Sequence, residues 1–473
     1  MEKTIKEMYG GPVFAQISGK ITFSCWVSSC RHRFHHSRCW QYTHEEGKAP
    51  QHDLSQVADI LQDQVTDPVL HEPGNIKLPP TAEMCSSAAF VDTASFKFEN
   101  PSEFHFLQMT SARSDREAGY NVRTLGEVRI RPAIDHMESN IRVDLELHVS
   151  DRSLVSLTKI QSSEGTLTVN TPLRVSGLNQ PCLSIVATIW ITPGLALENM
   201  EIDTQNLGIQ FYPLLDYRIR DSTYISSVAG FVHMTPPVSN LYSRKTIIRT
   251  MSSSINGAFP LYDLLSLHTL SGSIRVDVDP QEAAKAAPAP ASFIASSASG
   301  SIEAYYPIDR DVSKIPDRDY RVAVKTASGS IRGDYLHGSS TSLRSLSGST
   351  EATLAPYGQI AQATNILTDT QSSSTRLTVL SSLNSPETPM RNLYSSHKST
   401  SGSLGLHFPS TWEGEIEGET MSGSLRVAWE GVRIIKDGRD WNGAWRRLLA
   451  VKGDGQGKIK FKGISGSMRL EGD

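Results

Sequence analysis

Cysteine is scarce in this chain: five in 473 residues, at Cys25, Cys30, Cys39, Cys85 and Cys182. So sparse and odd a set excludes a disulfide scaffold. Long apolar runs are missing too. The longest, Cys182 to Ile191, is ended by Thr192-Pro193-Gly194 and falls short of the roughly 20 residues that a bilayer span needs. Its β-branched content reads as a strand. The segment Met1 to Glu7 carries acidic residues and no apolar stretch, so it does not read as a secretory signal, and the C-terminal residues show no lipid-anchor signal. None of the 14 asparagines opens an Asn-x-Ser/Thr acceptor with x other than proline, which leans away from a glycosylating compartment. With no address signal, the cytoplasm is the default expectation. Charge of one sign is lacking as well: 46 Lys and Arg stand against 50 Asp and Glu, for a formal charge of −4. The overall field therefore gives no reason to expect nucleic acid as a partner. A mean hydropathy of −0.28 with 20% charged residues fits a soluble protein.

What the chain does have is a recurrent tripeptide. Ser-Gly-Ser occurs seven times, with its glycine at Gly272, Gly300, Gly329, Gly348, Gly402, Gly423 and Gly466. Six copies run into an apolar residue: Ile274, Ile302, Ile331, Leu404, Leu425 and Met468. Alternation follows. Ile274, Val276 and Val278 point one way, with Arg275 and Asp277 between them, and Leu425, Val427 and Trp429 repeat the pattern. Period-two alternation marks a strand with one buried and one wet face. Self-similarity at roughly 20 to 30 residues signals stacked repeats. The glycine reads as the turn residue, able to take φ > 0 without a Cβ clash. Degenerate copies extend the series at Ser252-Ser253-Ser254-Ile255, at Ser372-Ser373-Ser374-Thr375 and, less well, at Gly443-Ala444-Trp445.

The predicted fold is all-β: stacked β-coils forming a β-solenoid over residues 91–473, behind an irregular segment 1–90 in which only Leu54 to Val65 looks helical. Early strands are expected at Glu127 to Arg131, Ile141 to Leu147 and Gly165 to Val169. The alanine- and proline-rich stretch 281–290 reads as a flexible insertion between two coils. The rival, a sandwich or barrel with serine-rich turns, calls for shorter and more even strand spacing.

Candidate chemistry is thin. Cys25, Cys30, Cys39 and His35 or His36 would close a tetrahedral zinc site. Against that, the Cys-x4-Cys spacing is wide, no second knuckle follows and the neighbours are basic, which argues for a basic arm instead. Asp309-Arg310-Asp311 and Asp317-Arg318-Asp319 are the nearest approach to the clustered aspartates of polysaccharide-cleaving β-helix enzymes. They read as solvated loop charges of alternating sign. His268, His337, His397 and His407 are scattered and read as exposed or ladder histidines. Gly453-Asp454-Gly455-Gln456-Gly457 lacks the Lys-Ser/Thr of a phosphate loop and reads as a hairpin turn.

One stretch carries a resemblance. The apolar run Leu183 to Ile191, then Pro193-Gly194, then Leu197 to Ile209 with Thr204-Gln205-Asn206-Leu207-Gly208-Ile209 resembles the "putative adhesin" β-solenoid domain of unknown function. The chain resembles more closely a group of uncharacterised fungal proteins carrying a relative of that domain, over residues 91–473. Such relatives often place a membrane-spanning segment ahead of it, which this chain does not show. The first functional reading is a non-enzymatic, adhesin-like interaction scaffold without a cofactor, its wet face touching a protein or a glycan. Arg275, Arg332, Arg426 and Arg469 share one offset from the glycine, so in-register stacking would align them in a ladder. The alternative is a carbohydrate-active β-helix enzyme, a hydrolase or lyase.

Overall fold

The computed structural model describes residues 85, 89–111, 119–133, 137–237, 241–309, 311–358, 363–441 and 443–473. The zinc candidates and the helix expected at Leu54 to Val65 lie outside these residues.

Alternating strands cannot bury one face alone, and here each coil contributes one strand to each of two long sheets. Among the described residues the first sheet has 15 strands and the second 16, almost all parallel to their neighbours. Leu264–Thr269 lies in the second sheet, the Ser-Gly-Ser turn follows, and Ile274–Pro280 lies in the first. Inward side chains form rows along the stack. One row in the first sheet runs Ile255, Ile274, Ile302, Ile331, Thr350, Thr375, Leu404, Met468 and Leu425. Every member is buried, so the six apolar residues after the glycines do form one stack. A fully buried isoleucine contributes about 1.5–3 kcal/mol.

The corner between the sheets has a rule that goes beyond the tripeptide. Three residues before six of the seven glycines stands a buried hydroxyl, whose oxygen accepts from the glycine N–H, as in Thr269 to Gly272 at 3.0 Å, Ser297 to Gly300 at 2.8 Å, Thr326 to Gly329 at 3.1 Å and Ser345 to Gly348 at 2.9 Å. The same hydroxyls donate to the corner carbonyl of the neighbouring coil, as Ser297 does to Gly272 at 3.0 Å and Thr326 to Gly300 at 3.2 Å. One row of hydroxyls thus satisfies its own turn and ties it to the next.

The glycine is needed for space, which corrects the expectation of positive φ. A Cβ on Gly300 would lie 1.8 Å from the Gly272 carbonyl oxygen, one on Gly329 2.1 Å from that of Gly300, and one on Gly348 1.7 Å from that of Gly329. Among the seven tripeptide glycines only Gly466 takes a positive φ, +109°. It is also the copy whose upstream hydroxyl position holds a glycine, Gly463.

Coil order departs from chain order at the end. The final coil, Gly457–Gly463 with Ser467–Gly472, sits between the coil of Leu393–Ser399 and Leu404–Phe408 and the coil of Gly414–Thr420 and Ser424–Ala428. The intervening hairpin, Val432–Arg439 and Arg446–Lys452, pairs antiparallel onto Gly414–Thr420. Two readings change accordingly. Gly443-Ala444-Trp445 lies in the connection of this hairpin, outside the coil series. Gly453 to Gly457 is no hairpin turn, because the strands it joins are separated by Gly414–Thr420. The degenerate copies at Ser252 to Ile255 and Ser372 to Thr375 are true corners: Ile255 and Thr375 occupy the buried row.

At the other end the pairing is mixed. Cys182–Ile191 pairs parallel with Arg123–Pro132 and antiparallel with Ile141–Val149, whose far side takes Phe90–Phe98. Strands on both edges, and burial of both faces from Cys182 to Ala187, explain why Cys182–Ile191 is so apolar. A disulfide joins Cys85 to Cys182 across 97 residues. Among the described residues no helix is long and apolar enough to cross a membrane.

Candidate functional site

Outward side chains form rows as regular as the core. On the first sheet one row reads Gln210, His233, Asn256, Arg275, Glu303, Arg332, Glu351, Arg376, Gly405, Arg469 and Arg426. The four expected arginines therefore do share one ladder. Carboxylates interleave with them. Arg275 pairs with Glu303 at 3.4 Å, and Glu351 takes Arg332 at 2.9 Å and Arg376 at 2.8 Å, while Arg469 pairs with Glu471. Burial pushes the Glu351 carboxyl up, but hydrogen bonds from Arg332 and Arg376 outweigh it and hold the group below its ordinary value. Coils repeat at about 4.8 Å, so Arg275, Arg332 and Arg376 are each braced by a carboxylate one rung away.

Two aspartates of the cluster, Asp311 and Asp319, serve local structure. Asp311 accepts from Ser313 N at 3.1 Å and Ser313 Oγ at 2.9 Å, and these bonds lower its pKa. Asp319 accepts from Arg321 at 2.8 Å and from Ser339 N at 2.7 Å. Arg310 lies outside the described residues. Arg318 corrects the picture of solvated charges, because its side chain is only 4% exposed. It reaches Asp263 at 3.3 Å, a carboxylate that Arg244 also holds at 2.7 Å, and it donates to the carbonyls of Gln281 at 2.8 Å and Ala289 at 2.5 Å. Arg318 thus holds both ends of the 281–290 insertion against the coil.

The histidines are not all exposed. His337 and His397 are fully enclosed. His337 meets Thr341 at 2.7 Å; His397 meets Thr368 at 3.0 Å and Ser395 at 2.5 Å. Burial pushes them down to about 4 and about 3. His268, between Ser266 at 2.8 Å and Ser296 at 2.6 Å, falls to about 4, by burial first and then by Arg249. A general base works best with a pKa near the operating pH, so these Ser–His contacts are poorly tuned for activating a hydroxyl. His407 is exposed and meets Asp473 at 2.8 Å.

Two features escaped sequence reasoning. His105 lies between Glu201 at 2.9 Å and Glu103 at 3.5 Å; the Glu201 hydrogen bond is the main cause that raises its pKa, against the lowering effect of burial. The pairing joins strands about a hundred residues apart, so no local spacing announces it. Nearby, an open depression of about 400 Å³ is lined by Asn100, Pro101, Asn140, Pro193, Glu198 and Arg220, among others. Arg220 and Glu198 bridge there at 2.6 Å. The Pro193-Gly194 pair of the resemblance forms part of its wall. Among the described residues no cluster of His, Cys, Asp and Glu is arranged to hold a metal ion.

No family model matches this chain, and no curated protein matches it in sequence. It is similar in structure to a "putative adhesin" of Bacteroides fragilis, with 15% identity and a TM-score of 0.30 over 57% of this chain and 98% of that one. A "putative adhesin" of Parabacteroides distasonis is similar at 10% identity and a TM-score of 0.25, over 81% of this chain and 98% of that one. A "putative cell adhesion protein" of Clostridium sporogenes is similar at 9% identity and a TM-score of 0.18, over 81% of this chain and all 100% of that one.

Proposed function

We propose that this protein is a non-enzymatic, adhesin-like scaffold whose first-sheet outer face contacts a protein or a glycan, and that it belongs with the fungal proteins it resembles. The observation that carries the reading is the braced ladder Arg275, Glu303, Arg332, Glu351 and Arg376. Bracing fixes the guanidinium groups before a ligand arrives and so reduces the ordering cost of binding. The buried, low-pKa histidines and the local engagement of Asp311 and Asp319 support a role without chemistry. The Cys85–Cys182 disulfide supports a compartment oxidising enough to maintain it.

The test is binding of the full chain to glycan and protein panels, with Arg332→Gln and Arg376→Gln as the ladder variant. These side chains are 51% and 75% exposed, so the fold is expected to survive their loss. A ligand whose binding falls at least tenfold in the variant supports the scaffold. Polysaccharide cleavage abolished by Asp309→Asn or Asp311→Asn overturns it in favour of the hydrolase or lyase.

A further inference from the structure

The corner column between the second and first sheets has a property that the opposite corners lack: it contains no charged residue. From the coil of Ser227 to the coil of Thr420 the corners read SVAG, TMSS, TLSG, SASG, TASG, SLSG, TQSS, STSG, GISG and TMSG in spatial order. Their backbones stay bonded through the turn, as Ser271 N to Met251 O, Ser328 N to Ala298 O, Ser347 N to Ala327 O and Ser465 N to Thr400 O show. The corners therefore form one continuous seam about 43 Å long at the rung spacing of about 4.8 Å.

The second residue of each corner points outward and forms the tip of the seam. Val228, Met251, Leu270, Ala298, Ala327 and Leu346 occupy six successive tips, and Ile464 and Met421 close the far end. Val228 is 40% exposed, Leu270 51%, Ile464 42% and Met421 43%. Buried rows next door explain none of this, since the hydroxyls beneath Val228, Leu270 and Met421 already close their turns.

Two residues before each tip, on the same side of the strand, runs a row on the outer face of the second sheet: Ser226, Arg249, His268, Ser296, Lys325, Arg344, Asp369, Lys398, Lys462 and Glu419. Its five cations face two carboxylates, Asp369 and Glu419, the latter paired with Lys462 at 2.8 Å. Asp203 precedes the row at the N-terminal end. Although the whole chain is slightly acidic, this flank of the seam is basic.

We propose that the seam is a docking edge for an anionic lipid surface. Apolar tips in a line enter the headgroup boundary, and the basic row beside them meets the lipid phosphates. The combination of exposed apolar side chains with adjacent Lys and Arg is what binds interfacial elements to acidic bilayers. A free acidic polymer would use the cations and leave Val228, Leu270, Ile464 and Met421 without a role, which is why lipid is the occupant chosen here. The tips and the basic row are made of residues other than those of the arginine ladder, so failure here leaves the scaffold reading standing.

Co-sedimentation of the full chain with phosphatidylcholine vesicles, with and without phosphatidylglycerol, tests the proposal. The expected result is binding that requires phosphatidylglycerol and weakens with salt. Arg249→Gln with Lys398→Gln is expected to weaken it about fivefold for each cation removed. Val228→Ser with Leu270→Ser, both at exposed positions, is expected to weaken it while leaving the melting temperature unchanged. Absence of vesicle binding, equal binding to neutral vesicles, or indifference to both variants overturns the proposal. Binding of polyglucuronate in solution through Arg249 and Lys398, with no vesicle binding, overturns it in favour of an acidic polymer.

Discussion

Replacing Gly329 by alanine puts the corner geometry under the sharpest strain. In most settings Gly→Ala stabilises by about 0.4–1 kcal/mol, because it restricts the unfolded chain. Here the added Cβ would stand 2.1 Å from the Gly300 carbonyl oxygen, 2.4 Å from its carbon and 2.7 Å from Ser301 N. All three are backbone atoms, so no side chain can swing aside. The two coils must part by about 1 Å, the kind of overpacking that costs roughly 1–3 kcal/mol. Parting them also strains the Thr326 bond to Gly300 O at 3.2 Å and the Gly329 bond to Thr326 at 3.1 Å, each worth about 0.5–1.5 kcal/mol. We expect a net loss of about 3 kcal/mol, read from the urea midpoint at unchanged slope with far-ultraviolet circular dichroism as the probe. Gly438→Ala is the control, since nothing lies within 4 Å of the Cβ built there. If the two variants unfold within 0.5 kcal/mol of each other, about the spread of neutral surface changes, the close-approach account of the repeat is wrong.

Two further outcomes follow from the core. Ile331→Asp places an unpaired carboxylate in a fully buried row and is expected to cost at least about 4 kcal/mol; an unchanged melting temperature would show that the residue faces outward. His337 and His397 stay neutral in the fold, down to about 4 and about 3, while the unfolded chain protonates near 6.5. Their stabilisation is therefore complete above about pH 6.5 and is lost as pH falls below it, by about 2 kcal/mol each on reaching pH 5. Urea midpoints at pH 7 and pH 5 test this, and a flat profile between them would refute the burial of both rings.

Much of the coil was legible because its signals are local. Alternation after each glycine gave the buried row, and Thr350 stands in that row where the apolar pattern lapses. The hydroxyl three residues before the glycine was equally visible, in Thr269, Ser297, Thr326 and Ser345, but a serine-rich chain hid it among its neighbours. What the glycine is for was not legible, since the carbonyl that excludes a Cβ belongs to the adjacent coil. Arg318 looked like a loop charge for the same reason: Asp263, Gln281 and Ala289 reach it only through the fold. The same holds for the interleaving of Glu303 and Glu351 with the arginines, for His105 between its glutamates, and for the pairing of Cys85 with Cys182.

Coil order at the C-terminal end is the claim least accessible to sequence, and it separates this fold from a simple sequential stack. Gly405 pairs with Arg469, and Arg469 in turn with Arg426, so Gly405 and Arg426 stand two rungs apart, roughly 9.6 Å at the usual strand spacing. A disulfide requires Cα atoms within about 7 Å. Under mild oxidation, Gly405→Cys with Arg469→Cys is expected to cross-link, and Gly405→Cys with Arg426→Cys is not, as read by peptide mapping of the full chain. The reverse pattern would mean that the coils stack in chain order, and would contradict the architecture described here.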